Sequence, residues 1–316
     1  MQTVRTGVIG VGYLGRFHAQ KYASLPQSRL VAVVDPDSAA RERVAAEAGC
    51  RGFSDFREIL GEVDAVSIAT PTPLHHGIAR ECLERGVHVL VEKPITETLA
   101  EARELVELAG RSGLVFQVGH LERFNPAILA LGASLQRPRF VESHRLAPFR
   151  ERGTDVNVVL DLMIHDIDLI QSLVRSPIVS IDAVGTSVFS SGLDIANARI
   201  RYANGCVANT TASRVSMKTE RKLRLFQDDA YVSIDLQQKI LTVVRKPPEG
   251  AAATLGQVSI EERTYEQGDA LRLEIEAFLR SIVEGRPPVV SGADGLEALE
   301  TALRITEMVQ GGTRPQ

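Results

Sequence analysis

The chain has 316 residues, of which 44% are hydrophobic and 24% are charged, a composition typical of a globular protein with room for two domains. Its formal net charge of -4 gives no reason to expect a nucleic-acid or membrane partner, and no apolar run reaches the roughly 18 residues that span a bilayer. The three cysteines, Cys50, Cys82 and Cys206, lack metal-ligand spacing, so no metal site is expected. The cysteines are interpreted as buried small apolar residues in a reducing compartment, and the first segment is unlike a signal peptide, so a cytoplasmic protein is predicted.

Up to about residue 119, short apolar runs alternate with helical patterns. Strands are predicted at 6–11, 29–35, 65–70, 87–92 and 114–119. Helices are predicted at 15–25, 38–48, 56–60, 76–85 and 99–112. Apolar strands that alternate with helices are typical of a parallel sheet covered on both faces.

After residue 120 the pattern changes. A helix is predicted over 156–174, and the runs that follow it lean towards alternation and β-branched residues, with turn signals between several of them. This pattern predicts an antiparallel sheet with at least one helix beside it. Two further helices are predicted at 269–284 and 293–309, and the last helix could pack on either domain. We therefore expect two domains, residues 1–120 and 121–316.

The first strand leads into the sequence GVGYLG, which places Gly10, Gly12 and Gly15 in G-x-G-x-x-G spacing between a strand and a helix. In this context Gly10 permits a tight turn, Gly12 lets a diphosphate approach the backbone, and Gly15 lets the helix pack closely on the strand. The N-terminus of the helix then faces the negative charge of the diphosphate. A glycine-rich turn without a ligand is the alternative, but the residues that follow favour a dinucleotide site.

Asp35 ends the second strand, twenty positions after Gly15, where an acid binds the hydroxyls of an adenosine ribose. A turn residue before a proline would look the same, but the glycine motif in front favours the ribose contact. Asp35 and Asp37 would repel a 2′-phosphate, which favours NAD over NADP. Arg41 is the one residue that could offset this repulsion.

Two further segments lie at the predicted carboxyl edge of the parallel sheet. The sequence ATPTPLHH at 69–76 follows the third strand, so His75 or His76 could contact the cofactor, although a helix-capping or solvated histidine fits equally well. Lys93 directly follows the fourth strand, and Pro94 restricts it to an extended conformation. A lysine in this position lies in the cofactor crevice, whereas a lone lysine at a strand end is usually a surface charge.

The sequence DLMIHDIDL at 161–169 is as apolar as a core helix, yet it contains three aspartates and a histidine. Helical spacing puts Asp161, His165 and Asp168 on one face and points Asp166 elsewhere, as an outward or interdomain charge. Because such a helix is largely buried, its polar groups must be paired or must face a cavity. A structural network that holds His165 is one interpretation. Beside a dinucleotide site and Lys93 we favour catalysis, with Asp168 as support.

These motifs together resemble the glucose–fructose oxidoreductase and inositol dehydrogenase (Gfo/Idh/MocA) family over essentially the whole chain. The resemblance rests on GVIGVGYLGRFHA (7–19), VVDPD (33–37), IATPTPLHHGIA (68–79), VEKPIT (91–96), VGHLERFNP (118–126) and DLMIHDIDL (161–169). It implies an α/β protein with an N-terminal Rossmann domain, a doubly wound parallel sheet, followed by a C-terminal α+β domain with an open, mainly antiparallel sheet. That sheet is expected to mediate a homodimer or homotetramer.

The resemblance also implies an NAD-dependent dehydrogenase of a sugar or polyol, with Lys93, Asp161 and His165 at the catalytic positions. The predicted cofactor-binding residues are Gly10, Gly12, Tyr13, Leu14, Gly15, Asp35, Ala69, Thr70, Pro71, His75, Glu92, Lys93 and His120. The predicted substrate-binding residues are His120, Arg123, Asn125, Arg145, Arg150, Arg152 and His165. The sequence departs from the family's usual pattern at Thr72, where asparagine is common, and at NVVLD (157–161), which lacks the usual glycines.

Two stretches, 119–128 and 143–170, resemble a narrower group within the family that oxidises carbon 3 of UDP-N-acetylglucosamine to a 3-keto sugar nucleotide. Arg145, Arg150 and Arg152 precede the predicted catalytic helix and agree with this substrate, because arginine can bind a diphosphate through two hydrogen bonds. Ordinary surface charge explains them equally well. A dehydrogenase of another substrate, such as an inositol-like polyol or UDP-N-acetylglucosaminuronate, is the alternative within the same class.

In the hypothesis that we favour, His165 accepts the proton of a ring hydroxyl, Lys93 stabilises the negative charge that develops on the oxygen, and hydride passes to NAD. Asp161 orients His165. Two alternatives from other classes stay open: an NAD-binding sensor without catalysis, and a glycosidase that uses bound NAD as a transient oxidant. A sensor would not need Lys93, Asp161 and His165 together, which favours an enzyme.

Overall fold

The computed structural model describes residues 3–149, 156–246, 258–265 and 268–312. The chain divides into two compact units, one of Met1–Leu121 and Asp269–Glu297, the other of Glu122–Gly268 and Ala298–Gln316. No helix in these described ranges is long and apolar enough to cross a membrane.

The described residues form the following regular elements. The strands are β1 Val4–Ile9, β2 Ser28–Val34, β3 Arg51–Phe53, β4 Ala65–Ile68, β5 His88–Glu92, β6 Phe116–Gly119, β7 Phe140–Leu146, β8 Ile178–Thr186, β9 Ile195–Tyr202, β10 Val207–Ser213, β11 Glu220–Phe226, β12 Ala230–Asp235, β13 Ile240–Arg245 and β14 Ser259–Thr264. The α-helices are α1 Tyr13–Ser24, α2 Ser38–Ala48, α3 His75–Glu84, α4 Leu99–Ser112, α5 Pro126–Leu129, α6 Ile164–Val174, α7 Ala270–Glu284 and α8 Gly292–Gly312. A π-helical turn at Val159–Met163 and short 3-10 turns connect some of them.

The first unit is built on a six-stranded parallel sheet in the order β3-β2-β1-β4-β5-β6. Its central strands are buried on both faces, and Val8, Val33, Val66 and Val89 are all fully buried. This burial explains why each strand is an almost continuous apolar run in the sequence. The strand order is that of a Rossmann fold, in which ligands bind at the carboxyl ends of the strands where the order reverses. The predicted doubly wound parallel sheet is confirmed.

The remaining elements of the first unit follow local signals in the sequence. Helix α4 has the predicted bounds, because the side chain of Thr98 caps its first turn together with Glu101, and Gly113 ends it with a φ of 62°. The helix predicted at 56–60 is a single 3-10 turn, Phe56–Ile59. The sequence does not reveal β3, since a strand of three residues has no apolar run to mark it.

Residues 269–297, predicted to lie in the second domain, group with the first unit. Ile275, Phe278 and Leu279 of α7 are buried in the same core as β1 and α1. The backbone N–H of Val118 in β6 donates to the carbonyl of Val290 at 3.1 Å. The helical pattern shows which face of α7 is apolar, but it does not show which core that face joins. The last helix, α8, begins in the first unit and contributes Ala298 and later residues to the second.

The second unit is built on an eight-stranded sheet in the order β14-β13-β12-β11-β7-β10-β9-β8. The pair β7 and β10 is parallel and all other neighbours are antiparallel. One face of the sheet packs on α6 and α8 in a large apolar core. Side chains therefore alternate between that core and the opposite face, as the period of two in the sequence predicts. The predicted mainly antiparallel sheet is confirmed.

The helix predicted over 156–174 is not a regular α-helix in its first part. Asn157 caps its start, because the backbone N–H groups of Val159 and Leu160 donate to Oδ1 of Asn157 at 2.9 and 3.0 Å. A π-helical turn, Val159–Met163, then leads into α6. A wider turn changes the angle between successive side chains, so the faces that regular α-helical spacing predicts for Asp161 do not carry over directly.

Candidate active site

The glycine motif forms a close turn between β1 and α1. Gly10 has a φ of 83°, a left-handed conformation, and a Cβ at Gly15 would lie only 1.8 Å from the carbonyl oxygen of Gly10. A side chain at Gly15 is therefore impossible without moving the helix off the strand. A Cβ at Gly12, by contrast, would meet no described atom within 4 Å. The turn thus has a closed side where helix and strand touch and an open side at Gly12.

The N-terminus of α1 has the features of an anion site. No side chain among the described residues caps it, and its first turn has no acidic residue. Tyr13 and Leu14, both predicted to contact the cofactor, are 69% and 48% exposed. Backbone N–H groups in the first turn of a helix have no partner within the helix and carry a partial positive charge. This cradle fits the diphosphate of a dinucleotide.

Asp35 lies directly beside the glycine turn. Its Oδ2 accepts the backbone N–H of Val11 at 2.8 Å, and its Oδ1 accepts that of Asp37 at 2.9 Å. The carboxylate is therefore fixed at the end of β2, where an adenosine ribose would reach it. Asp37 is used locally, because its side chain caps α2 through the N–H of Ala39 at 2.9 Å. Arg41 donates to the carbonyl of Asp35 at 2.7 Å and so lies at the same corner.

The segment after β4 is tied to the segment after β5 by His75. The ring is 1% exposed, with Nε2 2.9 Å from the carbonyl oxygen of Thr70 and Nδ1 2.9 Å from that of Pro94. Burial lowers the pKa of His75, although both carbonyl contacts oppose this shift. Since both ring nitrogens face backbone carbonyls, His75 positions the cofactor-side segments and does not offer a nitrogen to a ligand. Ala69, the first residue of the segment, donates its backbone N–H to Ile9 at 2.8 Å.

Lys93 follows β5 directly, as predicted, and its neighbour Glu92 is engaged with a helix. Nε2 of His18 on α1 lies 3.0 Å from Oε1 of Glu92. Burial acts to raise the pKa of Glu92, but the hydrogen bond with His18 and the nearby charge of Lys93 hold it below its ordinary value. Glu92, predicted to bind the cofactor, thus carries a negative charge that already has a partner within the first unit.

On α6, the two aspartates and the histidine have different environments. From Met163 to Ile170 every residue is buried except His165, which is partly exposed. Asp161 in the preceding π-helical turn has a side chain that is 41% exposed, and Nη2 of Arg214 lies 3.8 Å from its Oδ2. The two polar residues that the resemblance places at catalytic positions are therefore those that this buried segment leaves partly open.

Asp168 forms a two-point ion pair with Arg123, predicted to be a substrate contact. Nε and Nη2 of Arg123 each donate to one carboxylate oxygen at 2.7 Å. The side chain of Asp168 is fully buried, and that of Arg123 is 13% exposed. A planar guanidinium in this geometry fixes the carboxylate firmly. Asp168 supports the fold of this helix through Arg123, and no contact between Asp168 and His165 is needed to explain it.

Two predictions on the second unit are wrong: Asp166 does not point outward, and Arg145 is not placed to bind a diphosphate. Asp166 is 2% exposed and accepts from Nε and Nη2 of Arg145 at 3.1 and 2.7 Å. Nη1 of Arg145 donates to Glu122 at 2.9 Å, and Arg145 is 3% exposed. Burial acts to lower the pKa of Arg145, but the two carboxylates hold it far above its ordinary value. Burial raises the pKa of Asp166 against the charge of Arg145.

The other predicted substrate residues have mixed outcomes. Asn125 is 5% exposed and structural, because its Oδ1 caps α5 through Ala127 at 3.1 Å and its Nδ2 donates to the carbonyl of Leu236 at 2.9 Å. Its predicted substrate contact stays a prediction, and the described contacts of Asn125 are all with the protein. His120 is 1% exposed and lies at the end of β6. Arg150 and Arg152 lie outside the described residues.

The first unit thus brings together the glycine turn, Asp35, the segment from Ala69 to Pro71, and Lys93 with Glu92. The second unit holds Asp161 and His165 on one short stretch of helix. Sequence reasoning missed His18 and Arg214. A signal existed for His18, which lies three residues after Gly15 and so on the same buried face of α1.

The chain also matches known proteins along most of its length. A model of an oxidoreductase family with an NAD-binding Rossmann fold, Gfo/Idh/MocA, matches residues 4–120, and a model of the Gfo/Idh/MocA C-terminal domain matches residues 128–233. The chain belongs to the Gfo/Idh/MocA oxidoreductase family. Residues 4–120 of its first unit form the NAD-binding Rossmann domain of this family.

Two known dehydrogenases match nearly the whole chain. UDP-N-acetylglucosamine 3-dehydrogenase from Acidithiobacillus ferrooxidans is 41% identical, over 97% of this chain and 97% of its own. The NAD-dependent scyllo-inositol 2-dehydrogenase from Bacillus subtilis is 27% identical, over 98% of this chain and 95% of its own.

Solved structures agree with this membership. The structure of the Acidithiobacillus ferrooxidans enzyme has a TM-score of 0.93 and 42% identity, covering 98% of this chain and 99% of its own. A levoglucosan dehydrogenase in complex with NADH and levoglucosan has a TM-score of 0.88 at 20% identity, covering 99% of this chain and 98% of its own, which shows a shared fold.

The buried pair of Arg145 and Asp166 predicts a stability effect. Replacing Arg145 with Met leaves the Asp166 carboxylate buried without its partner, which should lower the free energy of unfolding by about 3–5 kcal/mol. The double variant Arg145→Met with Asp166→Leu removes both charges and should recover most of this loss. Urea denaturation measures both effects. If Arg145→Met instead left stability unchanged and weakened substrate binding, the structural role assigned to Arg145 would be wrong.

Proposed function

We propose that the protein oxidises the carbon-3 hydroxyl of UDP-N-acetylglucosamine with NAD, producing the 3-keto sugar nucleotide and NADH. The observation that carries this proposal is the 41% identity with a UDP-N-acetylglucosamine 3-dehydrogenase across 97% of both chains. The partly exposed His165 on an otherwise buried helix supports it, because a dehydrogenase needs a base that substrate can reach. The cytoplasm, where NAD and sugar nucleotides are available, is the proposed location.

The proposed roles follow from the chemistry of each side chain. His165 takes the proton of the hydroxyl, and Asp161 positions the ring of His165. Lys93 donates a hydrogen bond to the same oxygen and stabilises its developing negative charge. When bound, NAD supplies the acceptor for the hydride that leaves carbon 3. The reaction balances, since the substrate loses one proton to His165 and one hydride to the cofactor.

The proposed binding residues form two groups, one for NAD and one for the sugar nucleotide. Gly12, the N-terminus of α1 and Asp35 bind the diphosphate and ribose of NAD. Arg150 and Arg152 stay candidates for the diphosphate of the sugar nucleotide, whereas Arg145 is already committed to Asp166 and Glu122. Arg123 is bound to Asp168, so any contact with substrate would have to be made by the part of its guanidinium that remains accessible.

Incubation with NAD and a panel of substrates tests the proposal directly. The panel contains UDP-N-acetylglucosamine, UDP-N-acetylglucosaminuronate, UDP-glucose and scyllo-inositol, with NADH followed by absorbance and products by mass spectrometry. We expect NADH and a product two mass units lighter from UDP-N-acetylglucosamine. If only another compound of the panel were oxidised, that compound would take the place of UDP-N-acetylglucosamine as the proposed substrate. Release of a free sugar without net NADH would indicate a glycosidase. Binding without any product would indicate a sensor.

The variant His165→Ala tests the proposed base. Loss of a general base lowers kcat/KM by about 100- to 10,000-fold, while the affinity for NAD should stay within about twofold because the cofactor cradle is made by other residues. Steady-state kinetics and fluorescence titration with NADH measure the two quantities. His144→Ala is the matched control, since His144 is a partly exposed histidine of the second unit paired with Glu220 at 3.4 Å. Full activity in His165→Ala would remove His165 from the mechanism.

We further propose that the protein is a homo-oligomer formed through the eight-stranded sheet. On the face opposite the helices, an apolar row crosses the sheet through directly paired residues of neighbouring strands. The row consists of Val207, Phe140, Phe226, Tyr231, Val244 and Ile260. Its aromatic rings are in contact, with centroids 5.6 Å apart for Phe140 and Phe226 and 5.0 Å apart for Phe226 and Tyr231. A continuous apolar row on an open sheet face supports burial by a second copy.

Replacing Phe226 with Asp places a charge at the centre of this row and should convert the oligomer into monomers. Size-exclusion chromatography with light scattering measures the mass. Met217→Asp is the control, because Met217 is fully exposed and lies outside the row, so this variant should keep the wild-type mass. A monomeric wild-type protein, or an oligomer that survives Phe226→Asp in a folded variant, would contradict the proposed interface.

A further inference from the structure

A loop of the second unit, residues 187–193, carries an exposed aromatic side chain that the proposed roles do not use. The loop joins β8 to β9, and its Val188 and Phe189 are 51% and 66% exposed. A single exposed apolar side chain on a protein surface needs no explanation. Phe189 differs in two respects: the backbone that bears it is firmly held, and contacts connect its loop to the candidate catalytic residue Asp161.

A buried carboxylate holds the loop in place. Asp194 is 0% exposed, and its Oδ1 accepts the hydroxyl of Ser190 at 2.5 Å. Its Oδ2 accepts the backbone N–H groups of Val188, Phe189 and Ser190 at 2.8, 2.6 and 2.9 Å. Hydrogen bonds to a charged group are stronger than those between neutral groups. These four bonds fix the point from which the ring of Phe189 projects, so its exposure is not the result of a loose loop.

A second aromatic ring lies beside Phe189. Phe149, three residues after the end of β7, is partly exposed, and its ring centroid is 5.3 Å from that of Phe189 with an angle of 73° between the ring planes. Two rings in edge-to-face contact form a corner in which one aromatic face stays open. A flat ring can stack on that face and touch the second ring at the same time. Aromatic side chains bind the bases of nucleotides by stacking of this kind.

This aromatic corner, Phe149 and Phe189, is connected to the start of the helix that carries the candidate catalytic residues. The backbone N–H of Val158 donates to the carbonyl of Leu193 at the end of the loop at 3.0 Å. The backbone N–H of Arg214 donates to the carbonyl of Asp194 at 2.9 Å, and Nη2 of Arg214 lies 3.8 Å from Oδ2 of Asp161. Arg214 therefore contacts both the loop that carries Phe189 and Asp161.

The register of the eight-stranded sheet gives the same placement. The last residues of β7, β8 and β10 and the first residue of β9 pair in one row: Leu146, Thr186, Ser213 and Ile195. The segments that carry Phe149, Phe189 and Arg214 thus leave the sheet at one end. In a sugar nucleotide a ribose and a diphosphate separate the base from the sugar. The base must therefore bind at some distance from the catalytic residues, as this corner does.

We propose that Phe189, with Phe149 beside it, binds the uracil base of the sugar nucleotide by stacking. The proposal rests on the proposed function, because it takes UDP-N-acetylglucosamine as the substrate. A base is what distinguishes a sugar nucleotide from a polyol of the inositol kind. The aromatic corner therefore contributes to the choice between these two classes of substrate.

The first experiment compares two ligands that are each a part of the proposed substrate. UDP contains the base, whereas N-acetylglucosamine 1-phosphate does not. In Phe189→Ala the Kd of UDP should rise about 10- to 100-fold, because a stacked base loses its aromatic partner. The Kd of N-acetylglucosamine 1-phosphate should stay within about twofold of wild type. Calorimetric titration in the presence of NAD measures both constants. An unchanged Kd of UDP, or an equal loss for both ligands, would overturn the proposal.

Two further variants separate stacking from simple apolar contact. Phe189→Tyr keeps an aromatic face, so its Kd for UDP should lie within about threefold of wild type. Phe189→Leu keeps an apolar side chain without such a face and should show most of the loss seen in Phe189→Ala. Equal affinities of these two variants would contradict stacking. Val184→Ala is the matched control, because Val184 is an apolar residue of β8 that is 68% exposed and lies outside the corner, so the Kd of UDP should not change.

Two other occupants of the corner would give different results. If a second copy of the chain covered Phe189, Phe189→Ala would change the mass measured by light scattering and leave the Kd of UDP as in wild type. If NAD bound there, the same variant would raise the Kd of NAD and spare UDP. Either result overturns the proposal. Circular dichroism and thermal unfolding establish that each variant is folded.

Failure of the base site can be told apart from failure of the proposed function. If wild type binds UDP through Phe189 but oxidises none of the substrates in the panel, the proposed function fails and the base site stands. If wild type oxidises UDP-N-acetylglucosamine, and Phe189→Ala changes neither the KM for it nor the Kd of UDP, the base site fails and the proposed function stands. A wild-type protein that neither binds UDP nor oxidises a sugar nucleotide overturns both.

Discussion

Asp166 and Asp168 lie on a helix that the second unit buries almost completely, and a carboxylate in such a place must have a partner. Arg145 of β7 and Arg123 supply these partners at 2.7 Å. The planar guanidinium allows little freedom in how a carboxylate can meet it, so the two pairs set the rotation of α6 against its surroundings. With both aspartates committed, His165 is the ionisable residue of α6 that the packing leaves partly open. The position of the candidate base thus depends on the two ion pairs that anchor its helix.

This dependence explains what could be predicted from the sequence of α6 and what could not. Helical spacing identified a buried helix with polar residues that needed partners, and the resemblance selected Asp161 and His165. Spacing alone could not assign the partners, since Arg145 lies 21 positions before Asp166 and Arg123 lies 45 before Asp168. An arginine in a strand looks the same in the sequence whether it binds a diphosphate or a buried aspartate. The π-helical turn at Val159–Met163 also alters the angle between successive side chains, which regular α-helical spacing does not predict.

The cofactor side was easier to predict because its decisive contacts are local. The close approach of Gly15 to Gly10 spans five residues, and the carboxylate of Asp35 meets the backbone next to the same turn. Glycines at fixed spacing are a visible sequence signal of such a contact, since any side chain would prevent it. The sequence has no comparable motif for the packing of α7 on the first unit. An amphipathic pattern predicts that a helix packs against a core, but only the folded structure shows which core it is.

The placement of α7 has a chemical consequence for the first unit. It brings Glu274 into the core near Glu92, and two buried carboxyl groups in one region compete for a single proton. Hydrogen bonding distinguishes the two groups, because His18 donates a hydrogen bond to Glu92 while no described residue forms a hydrogen bond with the carboxyl oxygens of Glu274. Burial and the charge of Glu92 therefore raise the pKa of Glu274 well above its ordinary value, whereas the hydrogen bond with His18 helps to hold the pKa of Glu92 below its own. A helix predicted to belong to the second domain thus adds a second buried carboxyl group to the part of the first unit that contains Glu92.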